Sequence, residues 1–293
     1  MRYPLSWLPA CLLLLAAAPA RAADDTYAIK LSRPSKVGDL VDIDLTVELT
    51  RTTTITLPGQ NPQVRTQTTK GVLQGREETL QVDKKGNDLA LVLTIKKLAD
   101  GQGNQLLKPG QEIKIKREAK SVTFEIVGGD AMPSDAKTLL DGIYSPHTPD
   151  SPTDDEAFGS PDKHKIGDTW PIDAERASKG ATSAGLDIDP KQITGTTTLK
   201  SLDTIGGVAA LRVSCTLVVK DATPASPDPS LNVESFNMQS ELTGAFPLDP
   251  TLQPLESTEK GDGELHMTSP ANGATVVVKS VMSRSVKTTT IKK

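Results

Sequence analysis

Serine, lysine, histidine and the acids are the side chains whose types and spacing could do chemistry in this chain, and each pattern stops short of a complete site. Ser134-Asp135-Ala136-Lys137 sets a hydroxyl one helical turn from an amine, the spacing by which penicillin-recognising enzymes place their nucleophile, but the Lys-Thr/Ser-Gly strand and large helical domain of those enzymes are absent. Ser134 as a helix N-cap, with Lys137 in solvent, is the simpler reading. Ala181-Thr182-Ser183-Ala184-Gly185 approximates a nucleophile elbow with Ala in the first glycine position. An elbow needs a buried strand before it and a helix after it, whereas Ser178-Lys179-Gly180 and Leu186 to Pro190 flank this one as small-residue loop.

Histidines number three, His147, His164 and His266, and no two sit at i, i+2 of a strand or i, i+4 of a helix, so no transition-metal site is expected. Asp150, Asp154, Asp155 and Glu156 lack the 1-3-5 spacing and central Gly of a calcium loop, and Asp187-x-Asp189 stops at Pro190. They read as a solubilising acidic face, with a weak surface calcium site as the alternative. The sequence contains no Walker loop, no dinucleotide fingerprint after a strand and no Asn-x-Ser/Thr sequon. No catalytic, cofactor-binding or metal-ligating residue is assigned, and no cofactor is expected.

The elements that must hold these residues are strands. Val41, Ile43, Leu45, Val47 and Leu49 alternate with Asp42, Asp44, Thr46, Glu48 and Thr50, the period of a half-buried strand. The same alternation returns at Leu89 to Ile95, Val122 to Ile126 and Leu211 to Val219, and triple threonines at 52–54, 196–198 and 288–290 suit a pleated surface. Strands with one apolar face pair antiparallel. Turns are expected at 84–87, 108–110, 205–207, 260–263 and 271–273. Ala136, Leu139, Leu140 and Ile143 recur at helical spacing behind Ser134, predicting a helix up to Tyr144, and residues 174–184 suggest a second, short one. Trp170 is expected in the core rather than as a sugar-stacking platform, and Cys215 as a buried inert thiol.

Lys36-Val37-Gly38-Asp39 recurs 129 positions on as Lys165-Ile166-Gly167-Asp168, each copy leading into a strand, which suggests an internal repeat. Between the copies, Pro146 to Lys163 is rich in Pro and acid and reads as a solvated connector, and Asp221 to Ser230 as a long loop. The expected fold class is mainly β, antiparallel meanders in two related halves with one short connecting helix. The division is a signal peptide at 1–22, an N-terminal β half at 23–129, the helix and connector at 130–164, and a C-terminal β half at 165–293. The Val/Ile-Gly-Asp-x-Trp element ending at Trp170, the turn before Leu211 to Leu217, and Gly244 to Asp249 followed by Leu255-Glu-Ser-Thr together resemble exported bacterial β-rich proteins grouped as families of unknown function. That resemblance implies export and a β-sheet fold, and no activity.

Arg2, the apolar run Leu12 to Ala18 and Ala20-Arg21-Ala22 have the form of a cleaved signal peptide, so a periplasmic or extracellular location is expected, with no transmembrane segment after cleavage. Cys11 precedes the leucine run, which argues against lipid attachment there, and loss of the leader leaves Cys215 without a disulfide partner. A net charge of -4 excludes nucleic acid held by counterion release. An aromatic content of 3% leaves few stacking platforms. These observations favour an exported, non-catalytic protein with a binding or structural role, its partner a protein, a glycan or an apolar ligand. The alternative is a carrier of an apolar ligand, in which sheets wrap a cavity and the helix at 134–144 acts as a plug, as in lipoprotein carriers; a hydrolase ranks below both. The two leading readings differ in whether the apolar faces pack on each other or leave a lined cavity.

Overall fold

A computed structural model describes residues 25–119, 121–146, 151–183, 186–226, 228 and 230–291. The signal-peptide residues, Cys11, His147 and Asp150 lie outside them. Strands run β1 (Tyr27–Ala28), β2 (Leu40–Thr56), β3 (Gln63–Val82), β4 (Asp88–Asp100), β5 (Gln105–Leu107), β6 (Glu112–Arg117) and β7 (Val122–Ile126). Helices α1 (Ser134–Ile143) and α2 (Asp154–Phe158) follow, then β8 (Lys163–His164), β9 (Thr169–Pro171) and α3 (Ala174–Ser183). The chain ends in β10 (Ile193–Ile205), β11 (Val208–Ala222), β12 (Asn232–Pro247), β13 (Glu256–Thr268) and β14 (Thr275–Ile291).

Twelve strands form a single antiparallel sheet in the order β7-β6-β4-β3-β2-β14-β13-β12-β11-β10-β9, with β5 beside β4. Each half is a meander, and the two join where β14 lies against β2 from Thr275↔Thr56 to Ile291↔Leu40. The outermost strands are short, five residues in β7 and three in β9, which leaves little unpaired backbone for another chain to template on. The small pair β1·β8 stands apart from the sheet.

The three apolar clusters of the core lie on one face of the sheet, here the inner face. Over the first half, Ala136, Leu139, Leu140 and Ile143 of α1 pack with Leu73, Leu91, Leu93, Ile95, Ile113 and Ile115, as the helical spacing requires. Gly71 lets α1 approach closely, since a Cβ there would stand 2.5 Å from the Leu139 Cδ2. Over the second half, Ile29, Leu31 and Trp170 pack with Leu199, Leu211, Val213 and Phe246, and Ile172 and Ile188 with Ile193 and Val219. The outer face is polar, with threonine hydroxyls facing each other across strands at 3.1 Å in Thr50–Thr68 and Thr52–Thr66.

The repeated tetrapeptide folds into the same turn twice. Gly38 and Gly167 take φ of 87° and 95°, which glycine alone adopts freely. The Asp39 and Asp168 carboxylates accept from the Lys36 and Lys165 amides at 2.7 and 2.8 Å. Each turn is then clipped to its neighbouring strand: Gly38 donates to Thr79 and Thr79 to Asp39, as Gly167 does to Leu199 and Leu199 to Asp168.

Three expectations need correcting. Ser134 is the first residue of α1 and caps nothing; Pro133 occupies the cap position. Residues 151–163 are docked rather than a solvated connector. A capping box of Thr153 and Glu156 starts α2, and Asp155 accepts from the Leu31 amide at 2.6 Å while its own amide donates to Ser32 Oγ. Residues 260–263, expected as a turn, run through the interior of β13, because Glu259, Gly261, Gly263 and Leu265 continue the inward alternation while Lys260, Asp262 and Glu264 point outward.

Candidate functional site

The covering segments leave part of the inner face open beside Phe158. There the inner face of β2, β14, β13, β12 and β11 is exposed, with Leu49, Met282, Met238, Leu242 and Leu217 among its side chains. The result is an open groove of about 420 Å³, mostly apolar, with Phe158 at the end of α2 and Leu217, Phe236 and Met238 among its lining. Its size falls in the ~300–1,000 Å³ range usual for small-molecule sites.

Register fixes the floor as three rows across the sheet. The first reads Val47, Arg284, Glu259, Leu242, Cys215; the second Leu49, Met282, Gly261, Ser240, Leu217; the third Arg51, Ser280, Gly263, Met238, Val219. Apolar walls therefore stand on β2 and β11, methionines on β14 and β12, and bare main chain in the centre on β13. Arg51 is exposed at the rim, and its side chain makes neither a hydrogen bond nor an ion pair with any described residue. Cys215 is buried in the wall, and desolvation pushes its thiol up to about 11, so it packs as a small apolar group.

The sequence-flagged chemistry is dispersed. Lys137 pairs with Asp141 at 2.6 Å, while the Ser134 hydroxyl faces Asp135 at 3.4 Å. Ser183 ends α3 with its hydroxyl donating to the Lys179 carbonyl at 2.9 Å; Ala184 and Gly185 lie outside the described residues. His164 stacks on Trp170 with ring centroids 4.0 Å apart, and His266 meets Glu264 at 2.6 Å on the outer face. With one face under His164 and its Nε1 donating to the Phe158 carbonyl at 3.0 Å, Trp170 is a core residue that positions the groove wall. Among the described residues no three His, Cys, Asp or Glu side chains are grouped to hold a metal ion. From sequence, Leu49 and Leu217 read as strand positions, Cys215 as a buried thiol and Gly261 to Gly263 as a turn, and none of them as part of a site. The signal that could have found them is the uninterrupted alternation through Gly261 and Gly263.

No family model and no curated protein matches this chain. Among solved structures, it is similar to a LolA-superfamily protein from Nitrosomonas europaea, at 9% identity over 80% of this chain and 83% of that one, with a TM-score of 0.16. No described helix is long and apolar enough to cross a membrane.

Proposed function

We propose that this protein is an exported, non-catalytic carrier whose central groove holds an apolar ligand. The observation that carries the reading is the uncovered inner face of β2, β14, β13 and β12: the apolar faces of the sheet leave a lined cavity instead of packing on each other. A purely structural sheet protein of this size has every reason to cover that surface, since each exposed apolar Å² forgoes ~25 cal/mol of burial. Export rests on the form of residues 1–22, and α1 is here a fixed cover over the first half rather than a plug in the groove.

Native mass spectrometry of residues 23–293, purified without detergent from an exporting host and then incubated with a total lipid extract, tests the reading. A bound apolar mass that organic solvent removes is expected. A bare chain mass after that incubation overturns it and returns the protein to a structural role.

A further inference from the structure

Six glycines lie inside the long strands of the sheet, and they divide into two kinds. At Gly71, Gly75 and Gly244 a Cβ would stand 2.5–2.7 Å from Leu139, Leu93 or Phe246, and at Gly195 it would overlap the Thr216 carbonyl, so packing demands glycine. Gly261 and Gly263 differ: the nearest atoms to an added Cβ are the Gln239 carbonyl oxygen at 3.2 Å and Ser280 Oγ at 3.3 Å, which need give only a few tenths of an ångström. Neither has a left-handed φ. A glycine in a strand interior costs about 0.5–1 kcal/mol against alanine, and where the fold does not need it the position often marks close approach of a ligand. Both of these face the groove.

We infer that Gly261 and Gly263 are specificity-determining residues: with Ser240 and Ser280 beside them they open a trench across β13 that admits an unbranched alkyl chain onto the main chain, with the anionic head of that amphiphile at Arg51. This rests on the carrier reading and names its ligand class. The strands that bound the trench, β12 and β14, lie two strand spacings apart, about 9.6 Å. Met282 and Met238 flank it diagonally, and their flexible thioethers adapt to a chain of varying shape. Arg51, in the Gly263 row, supplies an uncommitted guanidinium at the rim and so favours an anionic head at that end.

Titration of hexadecanoate into the wild-type chain and into Gly261→Val, Gly263→Leu and Ser240→Leu tests this, with thermal melts of each. Ser240→Leu crowds the same trench from β12 without changing any glycine, so it serves if a glycine variant fails to fold. The expected result is binding by wild type and affinity roughly tenfold or more weaker in each folded variant. Arg51→Glu should weaken hexadecanoate and leave hexadecyltrimethylammonium unaffected or tighter. If wild type binds hexadecanoate and the folded trench variants bind it within twofold, the trench assignment is overturned while the carrier reading stands. If wild type binds neither amphiphile yet carries an apolar mass in the spectrometer, the ligand class alone is wrong; if it carries none, the carrier reading falls as well.

Discussion

The Tyr144 hydroxyl donates to Glu77 Oε1 at 2.6 Å, joining the residue that follows α1 to the middle of β3. Arg117 lies 5.7 Å from the centre of the Tyr144 ring, and Arg117 and Arg284 both bring positive charge toward the pair. Burial nonetheless raises the Glu77 carboxyl above its ordinary range, and Asp88 adds to that, against the lowering by Tyr144 and the two arginines. One polar contact thus anchors the end of an otherwise apolar cover.

The sign of its pH dependence follows. A folded-state value above the unfolded one, ~4.3 for Glu, means a stabilising contribution fully present below that unfolded value and lost as pH rises through the raised one. Glu77→Gln keeps an acceptor for Tyr144 and removes the buried charge. Melting of the two proteins from pH 4 to pH 8 should show the variant gaining on wild type as pH rises; a constant offset would contradict the assignment.

Docking of α1 depends on a glycine below and a leucine above. Leu140 is fully buried, so Leu140→Ala should cost about 2–5 kcal/mol in denaturant unfolding. Gly71→Ala drives a methyl against Leu139 and should cost about 1–3 kcal/mol. Gly263→Ala, with its contact to a mobile hydroxyl, should fall within about 0.5 kcal/mol of wild type.

Arg212 on β11 reaches over the small Ala245 to Glu256 at 2.7 Å while its Nε donates to Asp203 at 2.6 Å, clamping β10, β11 and β13 on the outer face. The guanidinium holds Asp203 below the usual carboxylate range, second to the Ser201 hydroxyl. With these side chains about a third exposed, Arg212→Ala should cost about 1 kcal/mol, and less in 1 M salt. An undiminished loss at high salt would mean that lost packing, not charge, is responsible.

Cys215 should resist Ellman's reagent at pH 8 in the folded protein and react at once in denaturant, since burial disfavours its thiolate. Rapid native labelling would place the thiol at the open surface of the groove instead of within its wall.

Period-2 alternation was enough to show antiparallel β structure, because side-chain direction in a strand depends on local geometry alone. The helix over 134–143, and the glycine turns at Gly86, Gly110, Gly206-Gly207 and Gly273, were legible for the same reason: spacing and left-handed backbone are local properties. Residues 260–263 misled because Gly-Asp-Gly is turn chemistry locally, and only pairing with β12 and β14 holds it extended. The Pro-rich stretch misled similarly, since its acid Asp155 finds the Leu31 amide 124 residues away. The groove was the least visible feature. Leu49, Met238, Gly261 and Met282 come from four strands, and a cavity is defined by where the covering segments stop, which is set by tertiary packing and by no pattern within any one strand.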